Sequence, residues 1–223
     1  MAVLFDLDGT LIDTANDIIW AINVLCVELN KPLADVNLLK DNVSFGLEKI
    51  LGVALNVNPE DLSDIELKKL KNRFKELYKQ SSFVSSKLFP GLNSIITKIK
   101  RRGLKIGVVT NKTLEFAVPN LEKVNLSSKI DCLVTSDMVP KPKPSPDSVL
   151  LAIKTLQVDP KDCLFIGDAE QDILAGNAAG VKTAVALFGY VGDSKLALSW
   201  PANYFLKKPT DIWSLVNSLY FLG

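Results

Sequence analysis

Five short apolar runs, none broken by a charge, recur along the chain at residues 2–5, 106–109, 132–134, 163–166 and 183–187. That recurrence constrains the fold more than any other feature. A few apolar residues in a row suit a strand buried on both faces of a parallel sheet. Helical patterns lie between the runs. Leu92, Ile95, Ile96 and Ile99 share one helical face; Lys98, Lys100, Arg101 and Arg102 close that helix, and Gly103 suits the left-handed position just past its end. Val149, Ala152, Ile153 and Leu156 form a second stripe, and Ile173, Leu174, Asn177 and Ala178 a third before Gly180. Strands alternating with helices predict an α/β fold, a doubly wound parallel sheet with right-handed crossovers.

One stretch breaks the alternation. Between the first run and Pro90-Gly91 there is almost no strand pattern. Ala15, Ile18, Ile22, Leu25 and Leu29 fall on one helix face, and Leu67, Leu70, Phe74 and Leu77 on another. Asp13 and Thr14 are placed to cap the first of these. A chain of 223 residues holds one large domain or a core with a smaller insert, at about 150 residues per domain. The expected organisation is an α/β core over residues 1–14 and 86–223, with a small all-helical insert over 15–85 after the first strand. A segment resembling a last strand and helix runs from Trp200 through Phe205 to Pro209 and Ile212.

The composition removes several function classes. Lys plus Arg is 26 and Asp plus Glu is 25, a net charge of +1, which supplies no field for nucleic acid or an anionic membrane. There is no histidine, so no Ser-His-Asp triad, Cys-His pair or histidine-held zinc is available. Cys26, Cys132 and Cys163 are far apart and read as inert, buried thiols in a reducing compartment. No apolar run approaches a membrane span, and Asp6 and Asp8 interrupt the first run too early for a signal peptide. A cytoplasmic location is expected.

The carboxylates carry the chemistry. Asp6-Leu7-Asp8-Gly9-Thr10 follows the first run directly, where ligands bind in open α/β sheets, at the carboxyl ends of the strands. Spacing of two puts both side chains on one side of an extended backbone. A plain Asp/Gly turn accounts for this pair alone about equally well. A second acidic group, Asp168 and Asp172, follows the 163–166 run, and alone it reads as helix capping. Both groups together, at the ends of strands in one sheet, change the balance. Two carboxylates about 4 Å apart repel by about 4 kcal/mol at an effective dielectric near 20. Such a cluster protonates, spreads or binds a cation, and hard oxygen ligands without His or Cys favour Mg²⁺. The ion would let a phosphate enter. Thr110-Asn111, at the end of the 106–109 run, offers a hydroxyl, an amide and helix N-terminal N–H groups. Lys141-Pro142-Lys143-Pro144-Ser145-Pro146 offers a positive charge on a stiffened loop, from Lys141 or Lys143.

These segments together resemble the haloacid dehalogenase superfamily, and most of all its phosphoglycolate-phosphatase-like branch. The matching residues are 5–14 (Phe5-Asp6-Leu7-Asp8-Gly9-Thr10 onward), Val109-Thr110-Asn111-Lys112, Lys143-Pro144-Ser145-Pro146-Asp147, and Phe165-Ile166-Gly167-Asp168 with Asp172. The resemblance implies a phosphatase acting on a small phosphorylated metabolite through an aspartyl-phosphate. In it Asp6 is the nucleophile and Asp8 the general acid and base. Mg²⁺ is held by Asp6, the Asp8 carbonyl and Asp168, with Asp172 in support. Thr110 and Asn111 take phosphoryl oxygens, and Lys143, which keeps the family's spacing to the next helix, balances the charge. The insert corresponds to an α-helical cap, in which residues 42–49 lie where relatives carry a substrate-selecting loop, with Ser44 and Lys49 the candidate groups for a small anionic substrate. Asp8 argues against dehalogenation. A sugar-phosphate mutase, a pyrophosphatase and a non-catalytic phosphate-binding module are the alternatives.

Overall fold

The structure is a computed structural model and describes residues 1–81 and 84–221. Its strands are β1 (Ala2–Phe5), β2 (Ile12–Asp13), β3 (Lys87–Leu88), β4 (Lys105–Val109), β5 (Cys132–Val134), β6 (Cys163–Gly167), β7 (Lys182–Ala186) and β8 (Tyr204–Leu206). Six of them form one parallel sheet in the order β5-β4-β1-β6-β7-β8. All five apolar runs are strands of this sheet. The last strand begins at Tyr204; Trp200 instead packs as a buried side chain with Ile173 and Val185.

The helices are α1 (Ala15–Glu28), α2 (Val36–Lys40), α3 (Leu47–Leu55), α4 (Asp64–Ser81), α5 (Leu92–Arg101), α6 (Leu114–Lys123), α7 (Asp147–Leu156), α8 (Glu170–Ala178), α9 (Ser194–Ala197) and α10 (Asp211–Phe221). The two-residue period of a strand sorts the core. Val3 and Phe5 of β1 face the layer made by α5, α6 and α10, with Ile95, Ile99, Leu121 and Ile212. Ala2 and Leu4 face the opposite layer, with Val149 and Ile153 of α7 and Ala175 of α8. Helices therefore cover both faces, and the sheet is doubly wound.

β1 is fully buried and pairs on both edges, Phe5 opposite Val108 on one side and Ile166 on the other. From β1 the chain builds outward through β4 and β5, then returns to the other side for β6, β7 and β8. The point of reversal lies at the carboxyl end of β1, where a crevice opens in such sheets.

Helices α1–α4 follow β1 as an insert and share their own core of Ile22, Leu25, Leu51, Phe74 and Leu77, which Phe116 and Tyr190 of the sheet domain join. The expected face of α1 holds at Ala15, Ile22 and Leu25. Ile18 is only half-buried because it borders a cavity, and exposed Leu29 lies past the helix end. On α4, Leu67 and Leu70 are half-buried, and Phe74 and Leu77 are buried. The sequence pattern misses β2 and β3, an antiparallel pair joining Ile12 to Leu88 and Asp13 to Lys87 where the chain leaves and rejoins the sheet domain. Two residues are too few to show a period. The expected bounds of insert and core take in residues 82–83 and 222–223, which lie outside the described residues. Among the described residues no helix is long and apolar enough to cross a membrane.

Thr14 does stand at the N-cap of α1, but neither it nor Asp13 caps the helix through its side chain. The Thr14 hydroxyl donates to Asp8 Oδ1 at 2.6 Å, while Asp13 accepts the Tyr190 hydroxyl at 2.6 Å. The backbone N–H groups of Thr14 and Ala15 donate to that same Tyr190 oxygen. Buried Asp17 is committed elsewhere, accepting from the N–H groups of Ser85 and Ser86 and from the Ser86 hydroxyl, so the returning chain is tied to α1.

Candidate active site

The site begins where β1 ends. The Asp6 N–H still donates to Ile166 O at 2.8 Å, continuing the ladder, and the chain then turns back on itself through hydrogen bonds from Leu11 and Ile12 to Leu7 O. Gly9 makes the turn at φ +81°. A Cβ there would lie 2.0 Å from Asp168 Oδ2, so this position needs glycine for both conformation and space. The turn also sends Thr10 toward β6, where its hydroxyl donates to Asp168 Oδ1 at 2.9 Å.

Asp168 follows β6 directly and is wholly buried. The Tyr190 N–H and the Ser44 hydroxyl both donate to its Oδ2 at 2.8 Å. Asp172 stands in the first turn of α8. Its Oδ2 accepts the Ala169 N–H at 3.0 Å, so the capping expected of this residue is real and uses one oxygen. Its Oδ1 forms an ion pair with Lys143 Nζ at 2.6 Å, without hydrogen-bond alignment. Lys143 Nζ also donates to Asp6 Oδ1 at 2.8 Å and to Val109 O at 2.9 Å. This settles which lysine enters the site: Lys143 is buried, and Lys141 is exposed.

Asp6, Asp168 and Asp172 bring carboxylate oxygens within 4.8 Å of one another, all buried. Burial raises Asp6 well above the usual carboxylate range; Lys143 pulls it down, and Asp172 and Asp168 push it up. Burial and then the charge of Asp172 push Asp168 up to about 7, against the hydrogen bonds from Ser44, Tyr190 and Thr10. Burial works against the charge of Lys143, but Asp172 and Asp6 outweigh it and hold the ammonium above its ordinary value. Three carboxylates facing one lysine leave an excess of negative charge in a buried, all-oxygen donor set. This is a candidate metal site, and it fits a hard divalent cation.

Asp8 stands apart from this cluster. Its Oδ1 accepts from Thr14 and, at 2.6 Å, from Lys112 Nζ. Lys112 lies in a matched segment, but the sequence reading gives it no role. Its Nζ also donates to the Tyr78 hydroxyl of α4 at 3.0 Å. Burial opposes its charge, and Asp8 and Tyr78 more than compensate, raising its pKa.

A cavity of about 320 Å³ opens between the carboxylates and the insert. Asp6, Asp8, Thr110, Asn111, Lys112 and Lys143 form its floor; the insert supplies the roof. Thr110 points in from the end of β4, its Oγ1 accepting the Lys112 N–H at 3.1 Å. The helix after β4 starts at Leu114 rather than at Thr110-Asn111, and four residues of loop, 110–113, intervene. The Asn111 side chain accepts the Lys143 N–H at 3.0 Å and donates to its C=O at 2.9 Å and to Gln171 Oε1 at 3.1 Å. It holds the lysine loop in place.

Of the two insert residues singled out, Ser44 lines the cavity with its hydroxyl committed to Asp168, and Gln171 clamps its carbonyl at 2.8 Å. Lys49 does not line this cavity. On α3, Leu47 and Ile50 turn toward the cavity, and exposed Lys49 borders a separate hollow with Gly52 and Pro59. The sequence reading also misses the α4 face of Lys71, Phe74, Lys75 and Tyr78, although spacings of three and four residues mark it as one face. The three cysteines are free and buried; burial pushes Cys163 up to about 11, so it stays an unreactive thiol.

An α/β sheet with a helical insert after β1, and acidic residues at the ends of β1 and β6, defines a class of hydrolase. The chain matches the haloacid dehalogenase-like hydrolase family over residues 3–186 and belongs to it. It is 35% identical over 217 residues to an N-acetylmuramic acid 6-phosphate phosphatase of Pseudomonas putida, covering 97% of this chain and 96% of that protein. It is 36% identical over 220 residues to a phosphoglycolate phosphatase of Aquifex aeolicus, covering 97% and 96%. A solved structure from Haemophilus somnus, of a protein predicted to be a phosphoglycolate phosphatase, superposes with a TM-score of 0.86 at 26% identity, covering 96% of this chain and 97% of that one. The chain is a phosphomonoester hydrolase of this family, in the branch that holds those phosphatases.

Proposed function

We propose that the protein is a Mg²⁺-dependent phosphatase that hydrolyses a small phosphomonoester through an aspartyl-phosphate on Asp6. The observation that carries this reading is that Asp6 and Asp8 face one cavity from a single turn, yet meet different partners. Lys143 holds Asp6 Oδ1, which leaves Oδ2 to attack phosphorus. The phosphorus–ester oxygen bond breaks as the Asp6–phosphorus bond forms, and Asp8 gives its proton to the departing alkoxide. Asp8 then takes a proton from water as that water attacks the acyl phosphate, releasing inorganic phosphate and restoring Asp6. The Thr110 hydroxyl and the Asn111 backbone N–H support the phosphoryl oxygens, while the Asn111 side chain keeps Lys143 in register. Asp6, the Asp8 carbonyl and Asp168 would hold Mg²⁺, with Asp172 in support through Lys143. The ion supplies charge neutralisation for the phosphoryl group. Helices α1–α4 act as the cap that excludes water and selects the leaving group.

A phosphoglycolate-like acid is the first substrate class. The cavity favours a second one, a sugar phosphate: Ile18, Val43, Leu47, Ile50, Phe74 and Phe116 line more apolar wall than a two-carbon acid can cover. The test measures phosphate release from 2-phosphoglycolate and N-acetylmuramic acid 6-phosphate, with Mg²⁺ and with chelator, beside Asp6→Asn. Metal-dependent turnover that is absent in the variant supports the mechanism, and the larger kcat/KM identifies the substrate class. A folded, Mg²⁺-binding protein that releases phosphate from neither compound, nor from a wider panel of phosphomonoesters, overturns the reading.

A further inference from the structure

We propose that Lys112 is a positioning residue for Asp8, and that the cap holds Lys112 at this post through the hydroxyl of Tyr78. The inference rests on the reading of Asp8 as general acid and base. Lys112 and Thr14 both donate to Oδ1 of Asp8, each at 2.6 Å, and among the described residues nothing donates to Oδ2. Two donors occupy that oxygen, so Oδ2 is the atom left free to hold and deliver a proton. They also fix the carboxyl plane. Asp8 therefore presents one defined O–H to the leaving group, which general acid catalysis needs within hydrogen-bond reach.

Lys112 itself is held from both sides of the cavity. Its backbone belongs to the sheet domain, three residues past β4, and its N–H is fixed by Thr110 Oγ1. Its ammonium reaches Tyr78 on α4, bonded to the hydroxyl at 3.0 Å and lying 5.0 Å from the ring centroid. Tyr78 is 2% exposed, wedged between Phe74 and Phe116, so its hydroxyl has no freedom to follow the lysine elsewhere. Movement of the insert away from the sheet domain removes Tyr78 from Lys112. Lys112 then loses the partner that fixes its ammonium beside Asp8 and is free to swing away from Oδ1. Proton delivery is thereby tied to a closed cap, where the leaving group is shielded from water.

A leaving-group comparison reads this directly. An alkyl phosphate needs the Asp8 proton, whereas p-nitrophenolate leaves without one, so a defect in proton delivery slows phosphoenzyme formation from the first far more than from the second. Single-turnover rates on both, with Mg²⁺, are measured for wild type, Asp8→Asn, Lys112→Met, Lys112→Arg and Tyr78→Phe. Lys112→Met is expected to lose on the order of 100-fold with the alkyl phosphate and under tenfold with p-nitrophenyl phosphate, with substrate KM and Mg²⁺ affinity little changed. Lys112→Arg recovers part of that loss. Tyr78→Phe shows the same selectivity at about tenfold.

Equal losses on both substrates, or no loss on either, overturn the role of Lys112. If Lys112→Met does not fold, the decision passes to Tyr78→Phe, which keeps the ring and its packing; an unselective effect there overturns the proposal. Asp8→Asn separates the two levels. If it shows no leaving-group selectivity, the acid–base reading itself fails; if it does and the Lys112 and Tyr78 variants do not, only this inference fails.

Discussion

Replacing Asp168 with asparagine should make the metal-free protein more stable at neutral and alkaline pH while abolishing its metal affinity. The carboxyl is wholly buried, and burial together with Asp172 raises it from 3.8 to about 7. Between about pH 4 and pH 7 the native state keeps a proton on Asp168 that the unfolded chain has released. Native protein binds more protons there, so this group's stabilisation is complete below about pH 4 and is lost as pH rises through about 7. A shift of about three units, at about 1.4 kcal/mol each, caps the effect at about 4 kcal/mol. Asparagine escapes the charge but loses part of the hydrogen bonding. Its single oxygen can keep the Tyr190 N–H, while its amide must turn toward the Thr10 hydroxyl as acceptor, at a cost of about 1–2 kcal/mol. The net gain is about 2 kcal/mol. Urea unfolding in chelator at pH 8 should place Asp168→Asn above wild type by that amount. Near pH 4, where the charge no longer costs anything, the variant should fall below wild type by the lost hydrogen bonding, about 1–2 kcal/mol. Mg²⁺ at 100 times its Kd should then raise wild type alone by about 2.7 kcal/mol and reverse the order. A variant less stable than wild type in chelator at pH 8 would refute the reasoning.

Three further outcomes follow from the geometry. Gly9→Ala puts a Cβ against Asp168 Oδ2 at a left-handed φ, so Mg²⁺ affinity by calorimetric titration should fall at least tenfold, by a larger factor than substrate-independent stability changes explain. Asp17→Ala strips three donors of their acceptor, at about 1 kcal/mol each, and should lower the thermal midpoint by about 6–12 °C. Lys49→Ala should leave kcat and KM within twofold of wild type, because the side chain faces away from the cavity.

The sheet and the acidic cluster were legible in the sequence for one physical reason. A strand buried on both faces must be apolar without a break, so β1, β4, β5, β6 and β7 each declare themselves, and their carboxyl ends point to where ligands bind. Asp6, Asp8 and Asp168 stand at two of those ends. The insert followed from the gap in the same pattern. What stayed hidden depends on side-chain partners that no period encodes. Thr14 has the place of a helix cap, yet its hydroxyl turns to Asp8, because a carboxylate is the stronger acceptor. Asn111 reads as a ligand for phosphate, and nothing in its sequence position shows that its side chain clamps the backbone of Lys143. Lys112 and Tyr78 are 34 residues apart, on opposite sides of the cavity, and meet only once α4 has folded down on the sheet. Neither has a sequence signature of its own: the tyrosine reads as core, the lysine as surface. In this protein the ends of the strands mark where the carboxylates gather, and the contact between insert and sheet brings Tyr78 to the lysine that holds Asp8.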